Sequence, residues 1–349
     1  VAGSEILTLR RLERPSPPYP AGEQVILASG DRLPAQVLRL TGDRLRIRAD
    51  LGHEHALALP LSAVSVIWLA PPDGTDYPDR LRRRLAAGRR RRDLVLLRNG
   101  DVVEGLLTGL ERDGPVRVER NKKEVRVDFR KVAALALGID QVRPPRKAEA
   151  GARLVLANGA RLTLAAPRPN GSRLTGTVAG AEASVPLERV QRLDLSRGRV
   201  VYLSDLKPRK YEPTAFLGTV RWPLVRDGSV VDGTDTGGDL RLGGGTYEKG
   251  LGMHSPCRVT FDLGGGYRRF EALVGLDDVT GRSGQVRLGV LVDGQARELG
   301  WDGELTWEAG PRSVRVNVER ARELTLAVEW GRYADVQGHV NWVDARLVK

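Results

Sequence analysis

Cysteine is nearly absent from this 349-residue chain. Cys257 stands alone, which excludes an internal disulfide framework and a zinc site built on cysteine pairs. Histidine is scarce too, with only His53, His55, His254 and His339, too few for a histidine-rich metal centre. No apolar run approaches the roughly 18 residues that a membrane-spanning helix requires. No Gly-x-Ser-x-Gly, His-Glu-x-x-His or P-loop phrase occurs, and no long alternation of strands and helices offers a deep catalytic scaffold. Carboxylates are too plentiful for counting alone to exclude a glycosidase pair. The balance of these absences points to a protein that is not an enzyme. The sequence opens at Val1 without a signal-like apolar region, so no compartment is read from a leader.

What is present is a globular, divided chain. Hydrophobic residues make up 41 % of it, enough to build cores, and its length suits two to four units. The net charge of +12 is unevenly placed: Arg199 to Lys349 holds 21 basic and 21 acidic residues, so the whole excess lies on residues 1–198. Five of the six tryptophans fall after that point. A shift of this kind marks a domain boundary near residue 198.

The basic half is densest in Tyr77-PDRLRRRLAAGRRRRD, where eight arginines fall between Arg80 and Arg92. Leu81 and Leu85, four apart, predict a helix there. It reads either as an anion-binding element, carried by Arg82, Arg83, Arg84, Arg89, Arg90, Arg91 and Arg92, or as a solvated linker over residues 77–93. Only eight of the 56 basic residues are lysines, a bias that would put arginine on any solvated face.

Self-comparison of residues 1–198 finds one phrase three times: Val25-ILASGDRL, Val95-LLRNGDVV and Leu154-VLANGARL. Each is an apolar strand running into a tight turn, with Gly30, Gly100 and Gly159 where positive φ is cheap. Each leads through a second strand-like run to a closing phrase: Pro60-LSAVSVIWL, Asp128-FRKVAALAL and Pro186-LERVQRLDL. The expectation is an all-β array of small, strongly bent SH3-like or Sm-like barrels over residues 25–76, 94–142 and 143–198, the last including a linker from Arg143. Residues 1–24 read as the tail of a preceding repeat, or a strand that completes a later one, followed by the extended Pro-rich spacer Pro15-SPPYP. Barrels of these kinds bind RNA or proline-rich peptides through clustered aromatics. Residues 1–198 offer only Trp68, Tyr19, Tyr77 and Phe129, so spacer or docking scaffold is the better expectation.

Residues 199–349 change texture. Six alternating strands, Arg258-VTFDL, Phe270-EALVGL, Val286-RLGVLVDG, Ser313-VRVNVE, Leu324-TLAVEW and Val343-DARLV, are separated by Gly- and Asp-rich turns, which predicts a sandwich or jelly roll. The phrase Tyr247-EKGLGMHS, followed by Val259-TFDLGGGYRRFEALVGLDD and Gly284-QVRLGVLVDG, resembles the NPCBM domain, which is related to carbohydrate-binding module family 51. The lead-in Tyr202-LSDLKP and the closing His339-VNWVDARLV fit the same family. The resemblance implies a galactose-binding-like β-sandwich that recognises sugars, with galactosides the first expectation. It departs from the family at Gly338 and Asn341, where an Asp is usual.

Sugar recognition needs an aromatic face for the pyranose and planar polar groups to read its hydroxyls. Trp342, Trp222 and Tyr247 are the candidate platforms; His254, Arg258, Asp277, Asp278 and His339 are the candidate polar readers. Alternatives stand beside them: Trp342 as core, His254 as a tie between loops, Asp277 and Asp278 as turn caps or calcium ligands. A structural calcium is a further expectation, with Asp227, Asp232 and Asp235 among the ligands, because Arg226-DGSVVDGTDTGGD alternates carboxylates with glycines. The combined expectation is a non-catalytic glycan-binding protein, secreted or in the cell envelope or periplasm. The alternative is a scaffold whose basic barrels bind an acidic protein or polysaccharide partner; nucleic acid ranks last.

Overall fold

The computed structural model describes residues 8–11, 15–51, 54–88, 90–138, 142, 151–195, 199–214, 222–230, 239–280, 282–334 and 336–349. The chain divides into two compact units, Val1–Arg197 and Gly198–Lys349. Among the described residues it is almost all-β, with 57 % in strands and 7 % helical.

Unit one repeats a single strand plan three times. In the first copy Gln24–Leu27, Arg32–Thr41, Arg44–Asp50 and Glu54–Pro60 form an antiparallel meander. The one-turn 3-10 helix Leu61–Ala63 follows, and Val64–Trp68 returns to pair with Gln24–Leu27. The second copy runs from Asp93–Leu97 to Val132–Ala136 and the third from Gly151–Leu156 to Val190–Asp194, each with its last strand on its first. Gly30, Gly100 and Gly159 close the shared phrase at φ of +86°, +90° and +86°, where a Cβ would be strained. The ten-residue second strand of every copy carries a bulge that bends it, after Val37, Leu107 and Ala165.

The copies are fused. One hydrophobic core runs through all three, and Val64–Trp68 pairs with Val132–Ala136 across the first and second. The opening strand Thr8–Arg10 pairs with Val190–Asp194 in the same antiparallel manner, so it serves as a closing strand beside the third copy. The Pro-rich segment, expected as an extended spacer, is instead docked. Tyr19 lies under the guanidinium groups of Arg32 (3.8 Å) and Arg161 (5.0 Å), and the wholly buried Arg161 donates to the carbonyl of Pro17. The linker expected from Arg143 to residue 150 lies outside the described residues.

The predicted helix spans Pro78–Ala87, with Pro at its first turn and Asp79 favouring its N-terminus. It is no solvated linker: Leu85 and the half-buried Leu81 pack on Ile26, Val66, Trp68 and Leu96.

Unit two is a sandwich of two antiparallel sheets. One orders Ser229–Val230, Val225–Arg226, Gly250–His254, His339–Val348, Arg269–Leu276 and Arg312–Asn317, with Val200–Tyr202 also on His339–Val348. The other orders Lys210–Pro213, Cys257–Asp262, Glu323–Trp330, Gln285–Val292 and Gln295–Ala296, with Glu304–Thr306 also on Gln285–Val292. Leu251, Phe261, Phe270, Val274, Val290, Leu326 and Trp342 belong to the core between them. A hairpin of Leu240–Leu242 and Gly245–Tyr247 covers part of the first sheet's outer face, where Leu240, Leu242 and Tyr247 meet Val343.

Candidate functional site

Register decides what gathers beside that hairpin. In Gly250–His254 and His339–Val348, Leu251 faces Trp342 and Met253 faces Val340, and these four belong to the inner core. Gly252 faces Asn341 and His254 faces His339, so these point outward. On the other flank Gly275 also faces Asn341. The two glycines make room: a Cβ at Gly275 would press on Leu242 of the hairpin, and one at Gly252 on Val225.

The His254–His339 rung carries an aromatic cluster. The two imidazoles lie 4.3 Å apart, edge to face. The Trp222 indole stacks on His254 at 4.5 Å with 22° between the planes, and meets His339 edge-on at 5.1 Å. Trp222 remains 41 % exposed while His254 is only 6 % exposed, so the indole covers the histidine and turns its other face outward. The Tyr211 hydroxyl donates to the Trp222 carbonyl (2.8 Å) and fixes the approach of that segment.

Behind the cluster the polar groups are tied down. His254 Nδ1 lies 2.8 Å from the Ser255 carbonyl. A carbonyl only accepts, so Nδ1 carries a proton and donates it to the backbone. Asp277 donates its backbone N–H to the His339 carbonyl (2.9 Å), and its Oδ2 accepts from Asn341 Nδ2 (2.7 Å). Its Oδ1 accepts from the N–H groups of Val279 and Thr280 and from the Thr280 hydroxyl. Asn341 also donates to the Arg241 carbonyl, joining the rung to the hairpin. Burial pushes the His339 ring below its usual pKa, against the opposing pull of the Asp277 carboxylate. Gly338 precedes the rung where a Cβ would collide with the Ser255 hydroxyl, which explains why no larger residue stands there.

The expected site residues therefore separate. Trp222, His254, His339 and Asp277 converge, and Asn341 joins them. Trp342 does not: it has no exposed surface and packs on Phe270 with ring centroids 6.4 Å apart, so it is core and no platform. Tyr247 is likewise buried, on the sheet side of the hairpin. Arg258 lies on the outer face of the other sheet, paired with Glu329 at 2.7 Å. Asp278 clamps the hairpin turn through the N–H groups of Gly243 and Gly244, so both its oxygens already serve the fold.

The metal and anion expectations fare differently. Asp227 Oδ2 accepts from Lys249 and its Oδ1 from the Gly250 N–H, which leaves it poorly suited as a calcium ligand. Asp232 and Asp235 lie outside the described residues; among the described ones, no group of three or more His, Cys, Asp or Glu side chains is placed to hold a metal ion. In the arginine segment Arg82 is buried: it donates twice to Asp79 Oδ1, once to the Ala21 carbonyl, and lies over the Trp68 ring. Its charge is spent inside the protein, so it is no anion ligand. Arg90 is half-buried and caps the helix through the Leu85 carbonyl. Arg83 is half-buried; Arg84, Arg91 and Arg92 face solvent, and Arg89 lies outside the described residues.

A concavity of about 620 Å³ opens at the other end of the sandwich strands, lined by Asp293, Arg297, Glu298, Arg315 and Arg320 among others. None of its lining residues is aromatic. A pyranose has nothing to stack on there.

Comparison with known proteins places residues 199–348 in the NPCBM/NEW2 domain family. A 129-residue stretch is 29 % identical to a protein of Renibacterium salmoninarum named as a candidate endo-alpha-N-acetylgalactosaminidase; it covers 36 % of this chain and 8 % of that protein. Among solved structures, the family 51 module of a Clostridium perfringens family 95 glycoside hydrolase, in complex with methyl-galactose, is 24 % identical. That match covers 43 % of this chain and 99 % of the module, with a TM-score of 0.36. A second family 51 module of C. perfringens ZmpB, solved with GlcNAc and adjoining domains, is 17 % identical over 54 % of this chain and 42 % of that one, with a TM-score of 0.37. Among the described residues, no helix is long and apolar enough to cross a membrane.

Proposed function

We propose that the NPCBM/NEW2 domain of residues 199–348 binds a glycan on the outer face of its first sheet, with Trp222 as the platform and His254 and His339 as readers of hydroxyl direction. The observation that carries this reading is the stack of Trp222 on His254: an exposed indole held flat by a buried imidazole whose Nδ1 is already committed to the backbone. An indole face beside the oriented imidazoles of the His254–His339 rung suits the C–H face and the hydroxyls of a pyranose. Asp277 and Asn341 act behind them as positioning residues. A galactoside-type sugar is the proposed ligand, in keeping with the association of family 51 modules with galactose-type glycans. The role is non-catalytic, exercised outside the cell or in its envelope, and the fused repeats of unit one serve as spacer or docking scaffold.

The test is a glycan-array screen of the full chain at low and high salt, beside Trp222→Ala. Glycan hits that survive high salt and vanish in the variant support the reading. Folded protein without hits, or hits that Trp222→Ala leaves unchanged, overturn it.

A further inference from the structure

Exposed apolar surface in unit two gathers at one end of the sandwich. Among its described residues, five large hydrophobic side chains are between 41 % and 62 % exposed: Trp222, Val279, Trp330, Tyr333 and Val336. His254 ends its strand and His339 begins the neighbouring one, so their rung, with Trp222 on it, lies at that end. Leu276 faces Val340 across the same sheet, so the connection that carries Val279 leaves beside His339. In the other sheet Trp330 closes its strand two residues past Val328. Val328 pairs with Cys257, and Ser255 stands two residues before Cys257. The connection from Trp330 to His339, with Tyr333 and Val336 on it, therefore crosses the rim beside the His254–His339 rung.

Hydrogen bonds hold these connections in place. Gln337 Oε1 accepts from the Ser283 N–H (2.8 Å) and so ties the two connections together. Gln285 Oε1 accepts from the Arg332 N–H (3.2 Å), and the Val336 N–H donates to the Tyr333 carbonyl (3.2 Å). Asp277 gathers the N–H groups of Val279 and Thr280. The backbone under Val279, Tyr333 and Val336 is thus built, while their side chains are left in water. Folding does not account for that choice, because a polar residue would serve each position without exposing apolar surface. Gln337 itself holds φ of +52°, a left-handed conformation that an unbranched amide gains nothing from adopting by itself. With Oε1 used, its Nε2 is left as a donor without a partner among the described residues.

We propose that this rim is a second sugar subsite, so that unit two takes an oligosaccharide of two or more sugars; the inference rests on the first sugar site at Trp222. One sugar lies on Trp222 beside the two histidines. The next stacks on the Tyr333 ring, beside Val279 and Val336, and receives a hydrogen bond from Gln337 Nε2 to a hydroxyl. Trp330 extends the apolar surface on the far side of Tyr333. Aromatic faces interspersed with a neutral amide donor suit a chain that alternates C–H faces with hydroxyls. None of these groups is charged, so the recognised sugars are neutral ones.

The experiment titrates the full chain with methyl galactoside and with β-1,3- and β-1,4-linked galactobiose and galactotriose. It compares wild type, Tyr333→Ala, Tyr333→Phe and a unit-one control, Tyr77→Ala, which also removes an exposed ring. At least one of the longer sugars should bind wild type roughly tenfold tighter than methyl galactoside. Tyr333→Ala should erase most of that gain and leave methyl galactoside within about twofold of wild type. Tyr333→Phe, which keeps the ring, and Tyr77→Ala should keep the gain. Because Tyr333 is 54 % exposed, its variants should melt like wild type. If methyl galactoside binds and no longer sugar binds tighter, the second subsite falls and the first stands. The proposal is also overturned by a gain that Tyr333→Ala leaves intact, by equal weakening of all the ligands, or by Tyr333→Phe losing as much as Tyr333→Ala. Self-association of wild type in sedimentation that Tyr333→Ala abolishes would assign the patch to a second copy instead. Wild type that binds none of these sugars removes the galactoside reading of the first site, and this inference with it.

Discussion

Two tryptophan-to-alanine substitutions should act in opposite ways, and the contrast tests the placement of the sugar site. Trp342 has no exposed surface and packs against Phe270 in the core of the sandwich. Truncating such a side chain costs about 3–5 kcal/mol, because the transfer energy is lost and a cavity stays behind. For a unit of this size each kcal/mol moves the melting midpoint by about 2–4 °C, so Trp342→Ala should lower it by roughly 6–20 °C. Trp222 keeps 41 % of its surface exposed. Taking an indole as ~200 Å², about 80 Å² remains to meet a sugar, which at ~25 cal/mol per Å² gives about 2 kcal/mol, or a roughly thirtyfold loss of affinity. Thermal melts followed by tryptophan fluorescence report unit two selectively, since five of the six tryptophans lie there. Glycan affinity is titrated below the melting range of each variant. A Trp342→Ala protein that melts like wild type but no longer binds glycan would refute the reasoning from burial. So would a Trp222→Ala protein whose affinity stays within about twofold of wild type.

Burial lowers the His339 pKa, so below about pH 6.5 the unfolded chain takes up a proton that the folded unit resists. Stability of unit two, and glycan affinity with it, should decline on acidification from there and be level above it; melts from pH 8 to 5 that show no such loss would contradict this. Arg82→Ala removes the bonds to Asp79 and Ala21 and should destabilise unit one by about 2–3 kcal/mol, whereas Arg91→Ala should stay within about 0.5 kcal/mol in denaturant titrations. Burial pushes the Cys257 thiol up to about 12, so alkylation at pH 8 should be far slower than for a free thiol and should track opening of unit two in denaturant. Rapid labelling of the native protein would show that this strand is open.

Much of the architecture was legible because it rests on local rules. The charge and tryptophan shift near residue 198 coincides with the division into two units. The thrice-repeated phrase marked three copies of one strand plan, and its glycines adopt the positive φ that their turns require. The six alternating strands of the second half are all present. Alternation fixes which residues share a face, so Arg44, Arg46 and Arg48 follow from sequence as one outward row.

Which face meets what was beyond reach of any local rule. In His339–Val348 four consecutive residues, Val340 to Val343, are buried, two by the opposing sheet and two by the hairpin and its neighbours. Alternation alone could not say that Trp342 is core while His339 and Asn341 lie on the outer face, beside the proposed sugar site. Trp222 stands 32 residues from His254 and 117 from His339 in the chain, and only sheet register and the returning segment bring the three rings together. Arg82 shows the same limit: Arg84, Arg91 and Arg92 of the same arginine-rich segment face solvent, but one turn of helix laid on Trp68 takes the charge of Arg82 inside. Periodicity sets the direction of a side chain relative to its own strand or helix. What waits in that direction is decided by segments far away in sequence, through packing that exists only once the chain has folded.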